Sequence, residues 1–194
     1  MNALLVESIQ DPAGSEVLDT NIEIDRWKLI GTDVNRVFKG LSNGETIINW
    51  EKEDYPNANS DNAPQSNLLK IPIGTGISCN NGVWSFPLTG LYKIDIMLAM
   101  SCQGQEAEYG ATLRVSRDGG LTYISYARLL FGGVESGDRQ THTVSATHFI
   151  NVSSLDVLFK LESHAMDNSD VNISGDISAT RGTSVSITRI GPAV

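Results

Sequence analysis

The feature that most constrains this chain is a succession of short β-prone runs separated by glycine, asparagine and aspartate turns. No window of 11 residues carries apolar side chains at the 3.6-residue spacing of a helix. The runs in the second half of the chain lie at residues 111–115, 121–126, 141–152, 156–161, 171–177 and 183–190. Many short strands with turn signals between them predict an all-β sandwich.

Three local patterns support this prediction. Residues 91–100 alternate, with apolar side chains at the even positions and polar Lys93 and Asp95 between them, as in a half-buried strand. Asn80-Asn81-Gly82 separates two β-prone runs and predicts a tight hairpin. Asp118-Gly119-Gly120 predicts a second hairpin between 111–115 and 121–126.

Residues 1–35 form a different kind of segment. Their apolar side chains are scattered and interrupted by Asp11-Pro12 and Gly14, so they cannot build a core of their own. We therefore predict an N-terminal docking arm at residues 1–35, which lies on its own assembly or on another protein, and a globular domain at residues 36–194. The candidate docking residues are Leu4, Leu5, Val6, Ile22, Ile24, Trp27 and Leu29.

Residues 81–96 read NGVWSFPLTGLYKIDI, in which an aromatic and a proline precede a Gly-x-Tyr-x-apolar-x-apolar strand. This block resembles the signature of the complement globular-head and tumour-necrosis-factor-like (TNF-like) superfamily, and residues 155–157 and 182–187 resemble two later segments of it. The resemblance implies a ten-strand jelly roll and a compact homotrimer, and it concerns fold rather than chemistry. Gly90 is expected to turn the chain into the central strand with a positive φ. The residues that carry the signature are Gly82, Trp84, Phe86, Pro87, Gly90, Tyr92, Ile94 and Ile96.

Charge and cysteine content exclude several classes of function. The net charge is −9, from 14 basic and 23 acidic residues, and no three basic residues are adjacent. Binding to nucleic acid phosphates or to an anionic membrane needs clustered Lys and Arg, so neither partner is expected. The first residues have no basic segment before an apolar core, which argues against a signal peptide and for synthesis in a cytoplasm. Cys79 and Cys102 are then expected to be free thiols.

Several motifs imitate functional sites. Residues 116–123, SRDGGLTY, resemble an Asp-box, whose aspartate accepts turn amides while the aromatic packs beneath, and this role is structural. The run from Asp170 begins like a calcium loop, but Arg181 stands where an EF-hand needs a bidentate glutamate. Asp167, Asp170 and Asp176 remain open as an ion site in one loop.

The histidines offer little for a metal site. His142 and His148 would lie about 20 Å apart along one strand at ~3.3 Å per residue, too far to share a metal within a subunit. One histidine repeated around a threefold axis remains open. No nucleophile motif, phosphate loop or zinc-binding helix is present in the sequence, and we predict a non-enzymatic protein without a cofactor.

The aromatic residues of the middle of the chain are the candidates for partner contact. Tyr109, Tyr123 and Tyr126, with Phe131, lie in a stretch broken by Gly-Gly pairs. Exposed aromatic side chains could stack on host glycan or anchor a protein partner, and otherwise they pack within the sheets or between subunits. Residues 144–150 carry no formal charge apart from a titratable histidine, so this strand could pack against a neighbouring subunit.

These observations lead to a functional hypothesis by analogy and elimination. The chain is predicted to be a capsid decoration (cement) protein of a tailed bacteriophage, made in the host cytoplasm. A homotrimer would sit on the outer shell, with the major capsid protein as the partner of its arm. A tail-fibre or head-fibre receptor-binding head that recognises host glycan is the alternative, and a bacterial adhesion module is a third class. The absence of heptads, collagen triplets and β-helix repeats from the arm favours surface docking over a stalk.

Overall fold

The computed structural model describes residues 24–30, 37–38, 43–52, 76–102, 106–134, 140–164, 171–175 and 182–194. This part of the chain contains β-strands and no helix. The strands are β1 (Ile24–Leu29), β2 (Val37–Phe38), β3 (Trp50–Lys52), β4 (Ser78–Asn80), β5 (Val83–Ser85), β6 (Gly90–Cys102), β7 (Glu106–Ser116), β8 (Ile124–Val134), β9 (Gln140–Val152), β10 (Leu158–His164), β11 (Asn172–Ser174) and β12 (Ser184–Gly191).

The strands form two antiparallel sheets. In the first sheet, β9 pairs with the whole of β6, from Gly90↔Val152 to Cys102↔Gln140. The other edge of β6 pairs with β12 up to Met97 and with β11 at Met100 and Ser101. β12 pairs in turn with β1, and β1 pairs with β3. The second sheet has the order β4-β5-β10-β7-β8. The expected all-β jelly-roll sandwich is confirmed, and the short β2 and β11 extend its first sheet.

The core lies between the sheets and is built by strand alternation. On β6 the even-numbered side chains from Tyr92 to Met100 are buried, as the sequence pattern predicts. On the second sheet the ring of Trp84 stacks on Phe159, with 4.8 Å between ring centroids and 4° between planes. Phe86 bridges the sheets, because its ring lies 4.6 Å from that of Tyr92 and 5.7 Å from that of Phe159. The aromatic residues of the 81–96 signature are therefore core residues.

The two glycines of the signature serve different purposes. Gly82 has a φ of 77° in the hairpin that joins β4 to β5, and Asn81 before it has a φ of 48°. This hairpin is the one predicted from Asn80-Asn81-Gly82, and two left-handed residues are what a type I′ turn requires. Gly90 does not have a positive φ, so that expectation is wrong. A Cβ at Gly90 would lie 2.8 Å from the carbonyl oxygen of Gly191, and glycine is needed there because two strands approach closely.

The first strand corrects the prediction for the arm. β1 pairs with β12 from Ile24↔Thr188 to Lys28↔Ser184, and its other edge pairs with β3. Trp27 is 7% exposed and Leu29 is fully buried, and both belong to the core cluster. The jelly roll therefore includes residues 24–29, which we had expected to be part of the arm.

Candidate functional site

The outward side of the first sheet is the most distinctive surface of the described structure. Register places its outward side chains in three rows across β9, β6 and β12. We call this surface the first face; its rows are Ser145-Met97-Ser184, Thr147-Asp95-Ser186 and Phe149-Lys93-Thr188. Its chemistry is dominated by hydroxyl groups, with Met97 and Phe149 as apolar members. The side chain of Phe149 is 49% exposed in the single chain.

The charges on the first face neutralise each other. Lys93 Nζ lies 2.8 Å from Asp95 Oδ2, and Thr147 Oγ1 donates a 2.6 Å hydrogen bond to Asp95 Oδ1. Partial desolvation alone would raise the pKa of Asp95, but the bonds from Lys93 and Thr147 outweigh it and the pKa lies below its usual value. A shallow concavity of about 210 Å³ lies over the two Ser- and Thr-rich rows. Across β9, β6 and β12 the face is therefore polar without a net charge, and Arg26 and Lys28 adjoin it on β1.

The outward side of the second sheet differs in its charge. Its rows across β10, β7 and β8 include Lys160-Arg114-Ser125 and Glu162-Thr112-Arg128, and we call this surface the second face. Glu162 is 8% exposed and is held by Arg114 Nε and Lys160 Nζ, each at 2.7 Å from a carboxylate oxygen. The second face therefore carries a charged network where the first face carries rows of hydroxyl groups.

The turn between β7 and β8 has the geometry that the Asp-box resemblance implies. Asp118 Oδ1 accepts a 2.7 Å bond from Ser116 Oγ and a 3.0 Å bond from the backbone N–H of Thr122. Ser116 Oγ itself accepts the backbone N–H of Gly120 at 2.9 Å. Hydrogen bonds from Thr122 are the main cause that lowers the pKa of Asp118 to about 2. The motif is structural, since its carboxylate oxygens are engaged within the turn.

The candidate aromatic residues do not form one site. Tyr109 is fully buried beside Phe131, with 5.2 Å between ring centroids, so the expectation that it contacts a partner is wrong for the folded chain. Burial raises its pKa to about 12. Tyr123 is half-buried beneath Lys160, whose Nζ lies 4.3 Å from the ring centroid. Tyr126 is 44% exposed, and its Oη donates to the carbonyl oxygen of Phe149, so it connects the edges of the two sheets.

The histidines considered as metal ligands are separated in the fold. His142 pairs with Met100 and His148 with Ile94, on strand positions six residues apart. Burial lowers the pKa of His148, whose ring lies 6.3 Å from that of Tyr126. Within the described residues no group of three His, Cys, Asp or Glu could hold a metal ion. Asp167, Asp170 and Asp176 lie outside the described residues.

The two cysteines are free, as predicted. Cys102 is buried in the core, and Cys79 is half-buried on β4. Desolvation raises the pKa of the Cys79 thiol to about 12. Such a thiol stays protonated at neutral pH, which removes the thiolate that reactive cysteines depend on.

The candidate docking residues are divided by the structure. Leu4, Leu5, Val6 and Ile22 lie outside the described residues. Ile24 is the first residue of β1, and its backbone pairs with Thr188. Trp27 and Leu29 point into the core, so their assignment as docking residues is wrong for the folded chain. Among the described residues, no helix is long and apolar enough to span a membrane.

Comparisons with known proteins identify the fold alone. No protein-family model matches the chain, and no curated protein matches it. The crystal structure of murine APRIL at pH 8.0, a TNF-family jelly roll, superimposes with a TM-score of 0.51 at 9% sequence identity. The match covers 87% of this chain and 100% of that one. The chain thus has the TNF-like fold that the 81–96 signature implied, at a sequence distance too large for function to be inferred.

Proposed function

We propose that this chain is a non-enzymatic virion structural protein, a trimeric capsid decoration protein that docks on the outer shell through its N-terminal arm. The first face carries the proposal, because it offers each subunit a broad surface without net charge. Subunit interfaces are depleted of charged residues at their centres and bury ~1,200–2,000 Å² in total. Met97 and Phe149 are of the residue types enriched at such interfaces, and the hydroxyl rows bring no formal charge into the contact.

The way ionisable groups are used supports a structural role. Asp118 is engaged within a turn, Glu162 is held by two cations, and His148 is partly buried with its pKa lowered. The ionisable groups of a catalytic site normally converge in one cleft. Here each has a separate structural explanation in a different part of the sandwich.

The attachment role falls to the residues before β1. Residues 4–6 supply Leu4, Leu5 and Val6, and the sequence of residues 1–23 contains no Lys or Arg. Three copies of an arm on one trimer would raise the strength of attachment through effective concentration. The virion setting itself rests on analogy at the level of the fold.

Particle binding tests the proposal. A chain that begins at residue 21 keeps β1, and we expect it to fold and trimerise but to bind purified particles at least about tenfold more weakly than the full chain. Immunogold labelling of intact particles should mark the whole shell. Label confined to the tail or the vertices, or equal binding by the shortened chain, would overturn the proposal.

A receptor-binding head is the second candidate, and the exposure of Tyr126 favours it. Ile124, which is 57% exposed, lies two residues before Tyr126 on the same edge strand. An exposed aromatic beside an aliphatic side chain suits the apolar face of a sugar ring. Loss of binding to a glycan array in Tyr126→Ala, with retention in Tyr126→Phe, would favour this function over decoration.

A further inference from the structure

One end of the jelly roll carries an unusual concentration of exposed apolar side chains. We call it the loop end; it consists of the connections at residues 86–89, 117–123 and 153–157 together with residues 192–194. Leu88, Leu121 and Leu155 are 47%, 87% and 56% exposed, each on a different connection, and Val194 is 93% exposed. Ile124 and Ile190, at the adjoining strand ends, are also about half exposed.

Strand register and hydrogen bonds join these connections into one surface. Ser85 and Ser116 both pair with Leu158, and Gly90 pairs with Val152, so the three connections leave the sheets at the same level. The backbone N–H of Gly119 donates a 3.0 Å bond to the carbonyl of Asp156, which ties the connection of Leu121 to that of Leu155.

Two further bonds hold the rest of the loop end. Arg189 Nε donates a 3.1 Å bond to the carbonyl of Thr89, and the N–H of Val194 donates to Asn151 Oδ1 at 3.0 Å. The Asp-box bonds of Asp118 fix the turn that presents Leu121. Exposed leucines on connections held in this way form a preorganised apolar surface, which is the kind that marks an interaction site.

The position where the chain enters the fold indicates what covers this surface. Ile24 pairs with Thr188, which belongs to the Phe149-Lys93-Thr188 row of the first face. Of the three rows of that face, this one lies nearest the loop end. β1 therefore begins at the same end that carries the exposed leucines, and residues 1–23 precede it in the chain. They include Leu4, Leu5 and Val6, and 23 residues can span up to ~76 Å when extended, whereas the row is only ~14 Å wide.

We propose that in the free protein residues 1–23 pack on the loop end of their own chain, with the Leu4-Leu5-Val6 segment against Leu121 and Leu155. Tethering gives the segment an effective concentration that a separate partner lacks. Its acidic side chains meet no net repulsion there, because Arg117 and Arg189 accompany Asp118 and Asp156 at this end. This inference does not rest on the proposed function, because it concerns the free protein alone.

Photo-crosslinking of the full chain tests the proposal. A benzoylphenylalanine at position 121 should crosslink to the tryptic peptide of residues 1–26, in a product that migrates as a single 21.0 kDa chain. The matched control carries the same group at Ile48, which is 38% exposed and follows Ile47 near the far end of β1. We expect the yield of the 1–26 crosslink to be at least about tenfold lower there.

A double substitution in residues 1–23 tests whether the crosslink from position 121 depends on the side chains of Leu4 and Leu5. Leu4→Ser with Leu5→Ser should reduce the crosslink from position 121 at least about fivefold, with an unchanged melting curve as evidence that the jelly roll is intact. Equal yields from positions 121 and 48 would overturn the proposal. A two-chain product, whether through the loop end or through residues 1–26 of a second copy, would assign the surface to intermolecular contact and would overturn it as well.

Discussion

The two outward faces of this sandwich differ in how they arrange polar and charged side chains. The second face keeps its charges in a network around Glu162, with Arg114 and Lys160 as partners. The first face places hydroxyl groups in rows across β9, β6 and β12, and the two charges in the rows of these strands, on Lys93 and Asp95, neutralise each other. Arg26 and Lys28 stand at the ends of two of these rows, on β1. Water covers a charged surface at little cost, whereas burying an uncompensated charge against another protein costs several kcal/mol. We therefore expect a neighbouring subunit to pack on the first face rather than on the second.

The largest difference between the two faces is expected when the same negative charge is placed on each. Ser145→Glu on the first face should abolish the trimer that we propose, because a buried charge without a partner costs about 3–5 kcal/mol at each interface. Ser125→Glu is the matched control, since Ser125 is also exposed and pairs with Arg114 on the second face. Light scattering should give one chain of 21.0 kDa for the first variant and three chains for the second. A trimer that survives Ser145→Glu contradicts the assignment of the face.

Trp27 and Leu29 anchor β1 in the core, and Trp27 is the larger of the two side chains. Trp27→Ala should lower the free energy of unfolding by about 3–5 kcal/mol, as other large-to-small core substitutions do. Ile48→Ala serves as the control and should change it by no more than about 1 kcal/mol, because Ile48 is exposed and lies outside the core cluster. Urea titration of both variants provides the measurement. An unchanged urea midpoint for Trp27→Ala would contradict the burial of Trp27 in the core and would favour its assignment to the docking arm.

The ion pairs of the two faces should differ in their contribution to stability. Glu162→Gln removes a nearly buried carboxylate between two cations and should lower the free energy of unfolding by about 1–3 kcal/mol. Asp95→Asn removes half of an exposed pair, with an expected cost of about 0–1 kcal/mol in the isolated chain. Denaturant titration of the two variants in a monomeric Ser145→Glu background compares them directly. Equal losses would show that the second network is no more stabilising than a surface pair.

The Asp-box turn adds a dependence on acid. The pKa of Asp118 is about 2 in the folded chain and about 3.9 in an unfolded one. A lowered carboxyl pKa stabilises the folded state above pH 4, and this contribution is lost as the pH falls from about 4 to about 2. Melting temperatures of the wild type should therefore decline more steeply over that range than those of Asp118→Asn. Parallel curves would mean that the turn bonds do not favour the charged form.

The smallest effect is expected from reduction of the cysteines. Both thiols are free, so a reducing agent should leave the melting temperature of the protein unchanged. Cys79 should also react slowly with a disulfide reagent at pH 8, because its pKa of about 12 keeps it protonated. A rapid reaction at pH 8 would contradict the burial of this side chain.

The comparison of faces also shows what sequence patterns can predict. Strand alternation identified the buried side of β6, and Asn80-Asn81-Gly82 identified the first hairpin, because both signals lie within a few adjacent residues. The burial of Trp27 had no such local signal, since it depends on β1 pairing with β12 at the other end of the chain. Tyr109 was misjudged for the same reason, because only the packing of the second sheet against the first determines which tyrosines are covered.

The first face was only partly predictable. Alternating Ser and Thr on β9 and on β12 are visible as patterns in the chain, at residues 141–147 and 184–188. The hydroxyl patterns do not indicate that β9 and β12 pair with the two edges of β6. Continuous rows form only because of that pairing. The family resemblance supplied that topology, and the residues of 81–96 then served as its core.

The Asp-box turn has a consequence for the order in which the molecule folds. Its bonds join residues no more than four positions apart, and it closes β7 onto β8 with little loss of chain entropy. The first sheet requires Ile24 to find Thr188 and Ile94 to find Ile187 across most of the chain. Pairing at such separations is slow, so we expect the β7–β8 hairpin to be native-like in the folding transition state while β1 and β12 are still unpaired. The edge of β6 that β12 later covers would then be the vulnerable surface during synthesis, when nascent chains are close together.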